Sequence, residues 1–138
     1  MIEPKQQYSM IRLELNPALG IPIYRQIMDG IREMIASGVL APGSRLPSIR
    51  ELAGELRINP SSAVKAYTEL RNAGVIVLDH GRGTFVSERS DLVLSSRHEL
   101  LWADLNALLG RAHSRGFEPE DVLRELRRLV QERKEEAS

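Results

Sequence analysis

Two helix-start signals follow one another in SIRELAGELRINPSSAVKAYTELRNAG, and they restrict the fold more than anything else in the chain. Ser48, with Glu51 three residues on, is a capping box, in which side chain and backbone satisfy each other's free groups. Ile49, Leu52, Ala53 and Leu56 then recur at helical spacing and predict one buried face. That helix cannot simply run on. Asn59 is a good N-cap and Pro60 is favoured at the first helical position, so a second helix starts there and reads to Gly74. Its inner face is Ala63, Ala66, Tyr67 and Leu70. Two helices joined by the brief turn RIN, the second rich in small residues, form a helix-turn-helix.

The flanking sequence completes the unit. After the apolar-alternating stretch MIRLEL, Pro22 suits a helix start and Gly38 a helix end. Between them Ile23, Ile27, Ile31, Met34 and Ile35 make one apolar face. LAPGSRLP reads as a turn segment. Beyond Gly74, Val75 to Leu78 and Thr84 to Val86 have strand propensity, and the glycines of DHGRG suit a tight turn. Helix, helix-turn-helix and hairpin together predict a winged helix over residues 1–88. Residues 89–138 differ in character: LVLSSRHELLWADLNALLGRAHSRG reads as one leucine-rich helix stopped at Gly116. EPEDVLRELRRLVQERKEE starts another at Pro119, with acids in its first turn that complement the helix dipole. Val122, Leu126, Leu129 and Val130 form its stripe, and KEEAS is expected to be disordered. The expected fold is mainly α with a small β-wing, an N-terminal winged helix-turn-helix followed by a C-terminal antiparallel helical pair.

Composition narrows the function. There are no cysteines, which points to a reducing cytoplasm and excludes disulfides and thiolate metal sites. The apolar runs are too short for a membrane span, and MIEPKQQYS lacks the basic region and apolar core of a signal peptide. Net charge is zero, but residues 40–87 carry six basic side chains (Arg45, Arg50, Arg57, Lys65, Arg71, Arg82) against four acidic ones. His80, His98 and His113 are scattered without ligand spacing, and no nucleophile–base pair or phosphate-cradling glycine loop occurs. No catalytic residue, metal or cofactor is therefore expected.

What remains is a surface. Free N–H groups at a helix start favour phosphate, and small residues let the backbone come close to it. The face of the helix at Asn59 that lies opposite the core carries Ser61, Ser62 and Lys65, which can reach phosphates or base edges.

The segment from Pro22 to Val86 resembles the amino-terminal domain of GntR-type bacterial transcription regulators, most tellingly in PGSRLPSIRELA and GRGTFV. The INP…AY form of the third helix, with a tail of about fifty residues, is similar to the YtrA-type subfamily. That resemblance implies that Arg50, beside Ser48, contacts DNA, and that the wing tip of His80, Gly81 and Arg82 enters the minor groove. Arg45, just ahead of LPS, is expected either at the phosphate backbone or simply solvated. Asn59, at the head of the third helix, completes the expected DNA-binding set.

In the tail, Leu101, Leu105, Leu108 and Ala112 form a seam, with Leu94, Leu100 and Leu109 beside it. Two short helices bury too little alone, so this surface should pack on the first domain or on a partner, most simply a two-fold dimer. Leu94, Leu101, Trp102, Leu105 and Leu108 are the expected interface, with Trp102 an anchor of the core or of that interface. The expectation is a homodimeric repressor on a palindromic double-stranded operator, its recognition helices about one DNA turn apart. The subfamily resemblance further implies membrane-transport genes as targets and an unidentified small-molecule effector. The rival reading is a winged helix used as a protein-interaction module without DNA binding, which net neutrality favours.

Overall fold

The computed structural model describes residues 8–138. MIEPKQQ, most of the segment read above for a signal sequence, lies outside the described residues. Helix α1 (Ile23–Ala36) follows a single 3-10 turn at Pro17–Leu19. Next come strand β1 (Arg45–Leu46), helix α2 (Ile49–Leu56), helix α3 (Pro60–Asn72), and strands β2 (Ile76–Asp79) and β3 (Gly83–Val86). The tail holds α4 (Ser90–Leu94), α5 (Arg97–Ser114) and α6 (Pro119–Ala137).

The two helix-start signals act as their chemistry dictates. Ser48 Oγ accepts from the Glu51 amide while Glu51 Oε1 accepts from the Ser48 amide, both at 3.1 Å. Asn59 Oδ1 accepts from the Ser61 amide at 2.9 Å, with Pro60 opening α3. Helices α1, α2 and α3 then converge on one core. Ile27, Ile31, Leu52, Ala63, Ala66 and Leu70 are fully sealed. Tyr67, also buried, donates its hydroxyl to the Pro47 carbonyl at 2.7 Å and so ties α3 to the segment leading into α2.

The sheet is antiparallel with order β1-β3-β2. The hairpin was legible, but β1 was not: two residues, read as part of a turn, pair Arg45 with Phe85 and Leu46 with Thr84. A strand this short has no periodicity to detect, and it exists only because β3 supplies its partner. MIRLEL, despite its alternation, joins no strand. It still contributes: Ile11 is buried, Leu13 and Leu15 pack on the core, and the Ser9 amide donates to the Arg45 carbonyl at 2.8 Å.

The tail is helical, with two corrections. The first helix is not one piece: it breaks after Leu94, and Ser96 recaps the chain by accepting from the Glu99 amide at 3.2 Å. Paired serines, whose side chains compete for backbone groups, account for the break. KEEAS is not a disordered end, because α6 runs through it to Ala137. Surface ion pairs from Arg128 to Glu125 and Glu132 brace the middle of α6 at helical spacing. Helices α5 and α6 pack on each other, and α4 packs on α1.

Candidate nucleic-acid interface

Sequence places three groups of side chains on the outer surface of the three-helix head, and the fold fixes each differently. Arg45 emerges from β1 and its guanidinium lies against Gly83, which pairs with Asp79 at the tip end of the hairpin. A Cβ built on Gly83, whose φ is +128°, would come within 3.0 Å of Arg45 Nε. Gly83 therefore serves two needs at once, a backbone conformation that side chains resist and room for a cation. Ser48 and Arg50 sit exposed in the first turn of α2. The Glu51 carboxyl is held below its ordinary pKa, first by the Ser48 backbone amide and in part by the positive charge of Arg45. The structure thus brings Arg45, the tip end of the wing and the start of α2 together.

The wing tip is a three-residue loop, His80–Gly81–Arg82, closed by the Arg82 amide donating to the Asp79 carbonyl at 2.9 Å. All three residues are exposed, and Gly81 takes φ +81°, where a Cβ would be strained. Arg82 stands 3.7 Å from Asp79 with three-quarters of its side chain in solvent, an interaction too screened to hold it back from a phosphate.

Helix α3 is divided lengthwise. Ala63, Ala66, Tyr67 and Leu70 face inward, while Asn59, Ser61, Val64 and Lys65 are exposed. Ser62 is only half-exposed, so Ser61 is the serine that stands clear. Lys65 is not a free arm: its Nζ lies 4.3 Å above the Tyr24 ring, a cation–π contact that holds it toward α1. Val64 was not singled out from the sequence. It is 45% exposed on the outer face of α3, an apolar side chain among polar ones. The clue was available, since 61, 64, 65 and 68 share a helical face.

The turn before α3 holds a second surprise. Arg57 caps α2 at φ +54°, the one non-glycine residue in the left-handed region among the described residues. A side chain there costs about 1 kcal/mol, and glycine would avoid the strain.

Of the residues predicted for the tail interface, two are already engaged within the chain. Leu94 packs on the head core, and so does Trp102, whose ring carries the Arg32 guanidinium at 3.8 Å. Leu101, Leu105 and Leu108 are exposed. Among the described residues, no group of three or more histidine or acidic side chains is placed to hold a metal, and no helix is long and apolar enough to cross a membrane.

This arrangement has close counterparts. Residues 23–86 match the family described as bacterial regulatory proteins, gntR family. The chain is 36% identical over 111 residues to the HTH-type transcriptional repressor YtrA of Bacillus subtilis strain 168, covering 80% of this chain and 85% of that one. The crystal structure of a transcriptional antiterminator from Listeria monocytogenes EGD-e is similar at TM-score 0.61 and 32% identity, over 88% of this chain and 91% of its own. A transcriptional regulator from Oenococcus oeni gives TM-score 0.56 and 33% identity, over 80% and 92%.

Proposed function

Since the chain belongs to the gntR family of bacterial regulatory proteins and is a DNA-binding transcription regulator, we propose that it is a repressor that occupies a palindromic operator as a homodimer. Residues 1–88 carry the DNA surface and residues 89–138 the dimerisation surface. The observation that supports this most is the lengthwise division of α3. Its inner face is sealed, and its outer face presents a capped helix start, a small hydroxyl, a valine and a basic group. Arg50 and Ser48 at the start of α2, and the wing tip of His80, Gly81 and Arg82, extend that surface. Arg45 flanks the tip end of the wing at Gly83 and reaches the phosphates beside it. Asn59, Ser61 and Ser62 lie along the backbone at the helix start, and Lys65 reaches a phosphate from its perch on Tyr24.

The dimer reading rests on what the tail leaves uncovered. Leu108, Phe117, Leu126 and Leu129 border a groove of ≈ 390 Å³ along α5 and α6, and Leu101, Leu105 and Val130 are also exposed. Apolar surface on this scale, continuous with the seam on α5, is the chemistry of a self-complementary two-fold contact.

The test uses operator fragments selected from the source genome, with binding followed by fluorescence anisotropy across a salt series. Ser61→Glu places a carboxylate in the first turn of α3, where the helix dipole tolerates it. It should melt as the parent does and lose operator binding, because a like-charge contact with phosphate costs several kcal/mol. Arg82→Ala should bind more weakly, with a salt slope shallower by about one. Parental affinity in Ser61→Glu would mean that α3 faces away from the DNA.

A further inference from the structure

Lysine carries its charge on a flexible four-carbon stem, so a surface lysine ordinarily wanders. Lys65 is exposed on the outer face of α3, yet its Nζ rests 4.3 Å from the centre of the Tyr24 ring. The ring belongs to the first turn of α1 and is itself well anchored. Tyr24 is half-buried against the core, and α1 and α3 pack directly on each other. The Arg25 guanidinium, 6.0 Å from the same ring, adds positive potential beside it.

How a cation is held decides what it can still do. A carboxylate would hold Lys65 by neutralising it, and a phosphate would then have to displace that partner. The ion pairs among the described residues are made by Arg32, Arg82, Arg124 and Arg128, and Lys65 makes none of them. An aromatic face attracts through its quadrupole and leaves the charge uncancelled. It also removes part of the side-chain freedom that a phosphate contact would otherwise have to remove.

We propose that Tyr24 is a positioning residue for DNA binding, one that holds Lys65 oriented and uncompensated at the seam of α1 and α3 for a backbone phosphate. This rests on the reading that α3 faces DNA, and it adds a residue of a different kind. Tyr24 touches no DNA and acts only through Lys65.

Phosphate contacts carry non-specific binding, so the probe is a fluorescein-labelled duplex of random sequence at low salt, followed by anisotropy. Lys65→Met should weaken binding about tenfold, with a salt slope shallower by about one. Tyr24→Leu should weaken the parent about threefold, the strength of an exposed cation–π contact, and should change nothing in a Lys65→Met background. Tyr24→Phe keeps the ring and should bind as the parent does. A ring-fluorinated phenylalanine at the same position keeps the shape but has an electron-poor face, and should weaken binding as leucine does. Because it preserves the core contacts, it carries the test even where Tyr24→Leu melts early.

Parental binding by Lys65→Met would mean that α3 does not present this lysine to phosphate, and the proposal would fall with that reading. Should Lys65→Met weaken binding while the fluorinated ring does not, Tyr24 alone loses its role. An equal loss from Tyr24→Leu in both backgrounds, or any loss in Tyr24→Phe, would also overturn the proposal, since Tyr24 would then act structurally or touch the DNA itself.

Discussion

Helices α1 and α6 are both amphipathic, yet they meet opposite fates. Helix α1 buries Ile27, Met28, Ile31 and Ile35, whereas no residue of α5 or α6 is buried. Length does not explain the contrast, since α5 and α6 are the longest helices of the described residues. What differs is how many neighbours each element has. Helix α1 packs on α3 and on α4, with Leu13 of the N-terminal segment against its Gly30, while α6 packs chiefly on α5. An apolar stripe becomes a core only when partners close around it. Without them it remains an offer of contact.

The sharpest way to break the comparison is to place the same charge in both regions. Ala66→Glu puts an unpaired carboxylate at a site with no exposure, which costs several kcal/mol. It should abolish the cooperative melt and the helical circular dichroism signal of the head. Leu105→Glu, at a position 41% exposed, should leave the melt of the head near the parent's. In light scattering it should shift a dimer to a monomer. A folded Ala66→Glu chain, or an unfolded Leu105→Glu chain, would reverse the roles assigned to the two regions.

A smaller perturbation tests the joint between them. Arg32 and Glu99 form a bridge whose side chains are 10% and 13% exposed. Removing one partner leaves the other charge nearly buried, and Glu99→Gln should cost about 3 kcal/mol in denaturant titration. Replacing both with apolar residues of similar volume should recover most of that loss, because the gain from a buried pair is largely offset by its desolvation.

The smallest effect carries a pH signature. With its pKa raised from 3.8 to about 6, Asp29 binds its proton more tightly folded than unfolded. Its contribution to stability therefore falls as pH rises from about 4 to about 6, and the full penalty applies above that window. Asp29→Asn removes the penalty. The variant should gain about 1 kcal/mol at pH 8, after allowance for the partial exposure of the carboxyl, and nothing at pH 4. A gain of equal size at both pH values would assign the effect to packing and not to charge.

The same contrast explains what could be read from sequence. Local chemistry was legible: the Ser48–Glu51 box, the Asn59–Pro60 start and the glycine-rich hairpin each carry their instruction within a few residues. The inner face of α3 could be read for the same reason, and its outer face followed by subtraction. Features that depend on a distant partner were not legible. Strand β1 exists through Phe85 and Thr84, and Lys65 is turned aside by Tyr24. Trp102, readable from sequence only as an anchor of the core or of an interface, packs on the core beneath Arg32. The helix break at Ser95 and Ser96 was written locally but masked by the leucines on either side.

The N-terminal segment carries a lesson about modular reuse. A gene fusion that borrowed only residues 23–86, the stretch shared across the family, would leave Ile11, Leu13 and Leu15 behind. It would also sever the Ser9 bond to β1 and the Tyr8 hydroxyl's bond to Glu55 at 2.7 Å. At the other end, Val93, Leu94 and Trp102 would no longer cover the core. The unit recognised by its sequence is thus smaller than the unit that holds itself together. Recombination that respects the first and ignores the second would yield a reading head with an open core.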